Sequence, residues 1–238
     1  MRLACGLAAL ILAASSGVGP VEAFPPYRST DAGTADPYSL EMRLGLGRIE
    51  VDDGKTGFTA PLLRANLGLP GSLEIISELE YEPSDDALGD GAAGFKWIPV
   101  TGAFSLGAET LALLPVRHAH SGIGIESQLV ATYRTDNLRV HVNAGGFSDP
   151  RGAQTETGWR ASTLTEVVRP GYRVGFEIFA KKVNGKPTDA RAGVGLIYDL
   201  KGFDIRTGVH VGLTRGAPDA VASLWIAKAF SFGSFIGR

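Results

Sequence analysis

Between residues 38 and 232 the chain alternates apolar and polar side chains with a period of two, segment after segment, and no helical period of useful length interrupts it. In the stretch FDIRTGVHVGLT (203–214), Phe203, Ile205, Thr207, Val209, Val211 and Leu213 share one side, and Asp204, Arg206, Gly208, His210, Gly212 and Thr214 the other. A chain of this kind folds as sheet. What remains to be decided is where the apolar side faces, because a soluble two-sheet sandwich buries it and a membrane-spanning barrel turns it to lipid.

Alternation predicts twelve strands, at 38–51, 56–69, 72–82, 91–99, 103–115, 123–134, 138–147, 157–168, 172–182, 189–199, 203–214 and 220–232. The connectors alternate in kind. Short ones (PG at 70–71, VTG at 100–102, DN at 136–137, RPG at 169–171, KG at 201–202) are interleaved with DDGK, PSDDALGDG, VRHAHSG, SDPRGAQTE, VNGKPTD and TRGAPD, which are mostly longer and richer in charge, Gly and Pro. Tight turns at one end and longer loops at the other are the connectivity of an up-and-down transmembrane barrel.

Charge placement favours the barrel over the sandwich. The residues predicted to line the lumen are Arg43, Arg64, Glu74, Glu78, Glu80, Lys96, Glu109, Glu126, Arg139, His141, Arg160, Arg173, Glu177, Arg191, Asp199, Asp204, Arg206 and His210. Glu41, Arg134, Glu166 and Lys181 lie on the same polar faces. Both signs occur on nearly every strand, more charge than one wetted face of a sandwich needs. The opposite faces, such as Leu40, Met42, Leu44 and Leu46, are apolar. Many of the 32 glycines fall on the polar side (Gly45, Gly47, Gly68, Gly94, Gly107, Gly145, Gly175, Gly193, Gly195, Gly208, Gly212), where a narrow lumen needs room. Tyr81, Trp97, Tyr133, Trp159, Tyr172, Tyr198 and Phe203 sit near strand ends, as interfacial girdles do.

The first 23 residues read as a secretory signal: Arg2, the apolar run LACGLAALILAA, then SSGVGPVEA with small residues before a cut. The expected division is 1–23 signal peptide, 24–37 an N-terminal segment, 38–232 the barrel and 233–238 a C-terminal tail. FPPYRSTDAGTADP (24–37) is rich in Pro and Gly and lacks alternation, so it hangs in the periplasm as a loop or tucks into the barrel mouth. Cys5, the single cysteine, lies in the signal, which leaves the exported chain without disulfide, thiol nucleophile or thiolate site. A net charge of −2 gives no nucleic-acid footprint. The mature sequence has no apolar run long enough for a transmembrane helix, so a membrane location requires a closed barrel.

The segments FPPYRSTDAGTADPYSLEMRLGL (24–46), APLLRANLGLPGSLEIISELEY, GAAGFKWIPV, FSLGAETLALLPV, NAGGFSDP, GWRASTLTE and GVGLIYDL together resemble the MetA-pathway of phenol degradation family of bacterial outer-membrane proteins, over almost the whole mature chain. The resemblance implies a transporter-like barrel in the outer membrane, placed there by the assembly machinery and surrounded by lipid, that takes up aromatic or hydrophobic compounds. It supplies no catalytic or binding motif. Outer-membrane barrels commonly finish on an aromatic residue; here FSF (230–232) is followed by GSFIGR.

Chemistry is otherwise sparse. His118 and His120 share a face if extended, but no carboxylate of fitting spacing stands beside them, and solvated loop is the expectation over metal site. HSG (120–122) lacks a third triad member, and the isolated GIG and GVG open no helix. No enzyme, cofactor or metal is expected. Two functions stay open: a barrel passing or binding small molecules, and a non-transporting envelope barrel with a structural, partner-binding or lipid-modifying role. Two registers are specific enough to test. The PG turn pairs Arg64 with Glu78, and the KG turn pairs Asp199 with Asp204, from which Arg206 is expected to serve both carboxylates.

Overall fold

The computed structural model describes residues 25–83, 87–89, 91–115, 122–152 and 154–232. The strands are β1 (Ser39–Asp52), β2 (Lys55–Thr59), β3 (Leu62–Leu69), β4 (Leu73–Glu82), β5 (Ala87–Leu88), β6 (Gly91–Val100), β7 (Phe104–Leu114), β8 (Gly124–Arg134), β9 (Leu138–Asp149), β10 (Glu156–Arg169), β11 (Tyr172–Val183), β12 (Asp189–Leu200), β13 (Phe203–Gly212) and β14 (Ala220–Ser231). Each pairs antiparallel with its neighbour, and β14 returns to pair with β1 from Ser39↔Ser231 to Val51↔Ala220. The result is a closed barrel of twelve staves, in which β2 and β3 form one stave along β1 and β5 is an extra strand on the end of β4. The ladder closes on itself through β14 and β1, the condition for backbone in a membrane, and only β2 and β5, at the long-loop end, are laddered on one side alone.

Burial is inverted relative to a water-soluble protein. Arg64 and Arg206 are 2% and 0% exposed, whereas Leu129 and Phe176 are 65% and 59% exposed. The polar face of every stave turns inward and the apolar face outward, which makes this a transmembrane barrel. On the outer face Tyr38, Trp97, Phe104, Tyr133, Tyr172 and Tyr198 are exposed near the tight-turn end of their strands, at the level where amphipathic rings meet headgroups. Among the described residues no helix is long and apolar enough to cross a membrane.

Both registers hold: Arg64 pairs with Glu78 across the Pro70–Gly71 turn, and Asp199 with Asp204 across Lys201–Gly202. Gly71, Gly171 and Gly202 have φ of 82°, 82° and 95°, which a residue with a Cβ adopts only under strain.

The alternation fails at two places. A bulge at Leu46 shifts the β1–β14 register between Gly45 and Gly47, so Gly47 faces outward against Phe58, a correction to its expected polar-side position. Beyond the bulge Arg48 and Glu50 turn inward to pair with Glu80 and Arg191. The second break is at Ala60–Pro61, where the expected strand 56–69 divides into β2 and β3. Pro61 has no N–H for the ladder, but its carbonyl still accepts from Tyr81, and Ala60 donates to the Tyr81 carbonyl, so the stave stays joined to β4.

Candidate functional site

The interior of the barrel is where the chain concentrates its charge, and the N-terminal segment lies inside it. Residues 25–36 rise from the tight-turn end, crossing the lumen from β3 and β4 toward β11 to β13. At the bottom Tyr38 donates its N–H to the Gly68 carbonyl, and Ala35 donates to Glu74 Oε2 at 2.6 Å. Next, Ala32 N–H donates to Thr132 Oγ1 at 2.7 Å, and the Arg134 guanidinium donates to the Ala32 carbonyl at 3.0 Å. Asn143 clasps Thr30 on both sides, its Oδ1 accepting from Thr30 N–H at 2.9 Å and its Nδ2 donating to the Thr30 carbonyl at 2.8 Å.

At the top, Glu177 accepts from the N–H groups of Arg28 and Ser29 at 2.9 and 2.5 Å, and from His210 Nε2 at 2.6 Å. A segment without regular structure leaves its backbone donors to side chains, and here the strands supply those side chains. Lys96 adds a 3.5 Å pair with Asp31.

Apolar anchors fix the segment between these bonds. Tyr27 packs with Leu164 and Ile197, and Ala32 with Ile98 and Val130. These inward Leu, Ile and Val side chains interrupt the polar faces, and with Ile76 and Leu111 they are the signal in the sequence that something packs in the lumen. Four inward glycines are filled by the segment. A Cβ at Gly68 would fall 2.2 Å from the Asp36 carbonyl oxygen; one at Gly175 or Gly195 would meet Tyr27, and one at Gly208 would meet Pro26. Below this level the lumen is solvent-excluded: Ser29, Thr30, Asp31, Glu74, Lys96, Thr132, His141 and Glu166 are all buried.

The lumen side chains form chained ion pairs. Glu41 on β1 pairs with Arg43 at 2.5 Å and receives Arg206 from β13 at 2.9 Å across the closing β14 stave; Arg206 also holds Asp204 at 3.1 Å. Arg64 pairs with Glu78, lies 3.6 Å from Glu109, and donates through Nε to Asn66, whose Nδ2 in turn donates to Glu74. Gln128 donates to Glu109.

Thr132, His141 and Glu166 line up at 2.9 and 3.1 Å, an order that resembles a nucleophile, a base and its orienting carboxylate. All three are buried, and the Thr132 oxygen already accepts from the N-terminal segment, so the row serves as a support for that segment. Arg173 reaches Glu166 at 3.7 Å.

Of the residues predicted to line the lumen, Arg43, Arg64, Glu74, Lys96, Glu109, His141, Arg173, Glu177, Arg191, Asp204, Arg206 and His210 are buried, and Glu78, Glu80, Glu126, Arg139 and Arg160 are half-buried. Asp199 lies exposed at the rim. The expected Asp199–Asp204–Arg206 cluster is therefore corrected: Arg206 opposes Ile197 and reaches across to Glu41, which leaves Asp199 to solvent. His118 and His120 lie outside the described residues, as do the signal and tail. Among the described residues no cluster of three or more metal-ligating side chains forms.

Above the segment, a cavity of about 350 Å³ extends to the long-loop end. Pro25, Pro26, Tyr27 and Arg28 form its floor, and Arg151 and Gly91 mark its upper rim. Arginines on its wall are paired: Arg48 with Glu80, Arg160 with Glu126, Arg191 with Asp189, and Arg151 with Asp149. Arg28 is different. Its guanidinium carbon lies over the Phe179 ring, 5.9 Å from the centroid, in cation–π range, and among the described residues it makes no ion pair. Burial, then the neighbouring guanidiniums of Arg48, Arg191 and Arg160, push it down to about 10, still charged at neutral pH.

No family model and no curated protein matches the chain, so the resemblance to the phenol-degradation family rests on the segments quoted above. Solved structures do match. The chain is similar to the KdgM porin, at 15% identity and a TM-score of 0.60 over 81% of this chain and 99% of that one. It is similar to the same porin in complex with disordered oligogalacturonate, at 15% identity and a TM-score of 0.58 over 82% and 99% of the two chains. The NanC porin gives 10% identity and a TM-score of 0.58 over 81% and 100%. At these identities the likeness is one of fold: the chain shares the closed antiparallel barrel of these proteins.

Proposed function

We propose that this chain is a porin-like barrel of the bacterial outer membrane that takes small hydrophilic solutes from the outer side into its charged vestibule, and passes them when the N-terminal segment shifts. It is exported on a signal peptide cut near Phe24, is inserted by the outer-membrane assembly machinery, and has its tight turns in the periplasm. The observation that carries the reading is the charged cavity, enclosed by the barrel wall and reaching the long-loop rim. The folds of the KdgM and NanC porins support it.

The lining bears on the solute. Arg28, Arg48, Arg64, Arg151, Arg160 and Arg191 share it with Glu78, Glu80, Glu109 and Glu126, a wall that suits polar or ionic solutes better than neutral phenols. Uptake of aromatic compounds, implied by the family resemblance, fits this wall when the ring carries a charged group.

Swelling of liposomes containing the purified barrel, with solutes graded by size and charge, tests the proposal. Flux of small polar solutes that falls with size is expected. Absence of flux for every solute, in the parent chain and in a variant lacking residues 25–37, would leave the non-transporting envelope role in its place.

A further inference from the structure

Arg28 occupies an unusual position. It projects into the vestibule from a segment whose backbone N–H groups at Arg28, Ser29, Thr30, Ala32 and Ala35 are bonded to the barrel wall. The nearest carboxylate on its own anchor, Glu177, already accepts from two backbone N–H groups and His210. Its neighbour Arg160 shares the Phe179 ring, at 5.6 Å against 5.9 Å for Arg28, but has Glu126 as a partner and donates a second N–H to the Arg28 carbonyl. Arg191 is buried, held by Asp189 through Nε and Nη2, and its Nη1 has no hydrogen-bond partner among the described residues. An uncompensated guanidinium in a narrow lumen bears a desolvation penalty that an anion relieves. A guanidinium that an aromatic ring attracts from one side keeps its N–H fork available for a carboxylate, which it binds with two parallel hydrogen bonds.

Resting on the reading of the vestibule as the solute chamber, we propose that its floor is a binding site for a small organic carboxylate, with the Arg28 guanidinium as the anchor and Phe179 as the platform that orients it. A cavity of about 350 Å³ accommodates a single-ring or short-chain acid. The anchor rides on the N-terminal segment, so the site exists only while that segment is inserted. Ligand and inserted segment therefore stabilise each other, and the carboxylate holds the barrel in its closed form until it leaves.

The test is titration calorimetry of the full-length mature barrel in detergent, with benzoate as the probe and benzamide as its neutral counterpart. Benzoate is expected to bind and benzamide to bind at least tenfold more weakly, roughly the discrimination that one charged bidentate contact supplies. Arg28→Gln should weaken benzoate by roughly tenfold or more, and Lys201→Gln, at an exposed turn, should not change it. Phe179→Leu, which leaves Arg28 in place, should weaken benzoate by a smaller factor. Equal binding of benzoate and benzamide, no benzoate binding by the parent chain, or full affinity in Arg28→Gln would each overturn the site. Retention of the heat-modifiable folded band shows which variants are folded, and Phe179→Leu serves if Arg28→Gln is not. Liposome swelling on the same preparations separates the two readings: flux without carboxylate binding removes this site and leaves the porin-like function standing.

Discussion

At the scale of single residues, the lumen distinguishes side chains that close the barrel from those that hold the segment. Arg206 belongs to the first kind: it is fully buried, and it ties Glu41 on β1 to Asp204 on β13 across the β14 stave. Removing one member of a buried pair strands the others, at about 3–5 kcal/mol. Arg206→Leu should therefore lower the temperature at which the folded gel band is lost, whereas Asp199→Asn, at an exposed site, should leave it unchanged. Equal effects of the two would return Asp199 to the cluster.

Glu177 belongs to the second kind. Its three hydrogen bonds go to two backbone groups of the segment and to His210, each charge-assisted bond contributing about 1.5–3 kcal/mol. Glu177→Ala should leave the barrel folded but release its N-terminal segment, seen as rapid protease cleavage between residues 25 and 37 where the parent chain resists. Resistance equal to the parent would mean that Asn143, Thr132 and Glu74 suffice to hold it.

At the scale of the strand, the two faces make opposite demands. Val209 points outward and is half-exposed, while His210 beside it is buried against Glu177. Val209→Arg sets a charge in lipid at about 2–4 kcal/mol near the midplane, and should reduce the yield of heat-modifiable barrel in vesicles. Unimpaired insertion would mean that the faces are reversed.

The period of two made these faces legible in the sequence, strand by strand, and the PG and KG turns made the Arg64–Glu78 and Asp199–Asp204 registers legible too, because a tight turn fixes which residues oppose. The bulge at Leu46 was less visible, since alternation assumes a constant register. Its trace is that strict alternation from Leu44 and Leu46 would set Arg48 and Glu50 in lipid. Pro61 marked the break between β2 and β3 more openly. The partners of Arg206 were not legible at all, because a side chain's reach across a lumen depends on curvature that pairwise register does not encode. The anchors Leu164, Ile197, Ile98 and Val130 were visible as apolar residues on polar faces, but nothing local said what they bind.

At the scale of the whole molecule, a twelve-stave barrel leaves an interior that its own side chains only partly fill. In its lower half the remaining space is taken by residues 25–36, so that Glu74, His141, Glu166 and Arg206 are all shut off from solvent. Among the described residues nothing else crosses the lumen there, and the vestibule ends on Pro25–Arg28. The segment therefore occupies the path through the barrel. Removal of residues 25–37 should raise single-channel conductance in planar bilayers several-fold above that of the parent, with steady current in place of a closed level. A point variant offers the same test without shortening the chain: a side chain at Gly68 would overlap the Asp36 carbonyl oxygen, 2.2 Å from its Cβ, so Gly68→Val should lift the segment at its base and open the channel. Benzoate, if it binds with Arg28 in place, should lower the open fraction of the parent chain and have no effect on the shortened one, because the shortened chain has no anchor to stabilise. Parent-level conductance in both the shortened chain and Gly68→Val would place the barrier in the wall itself, in the ion pairs around Arg64 and Arg206, and the segment would then be a brace for the barrel.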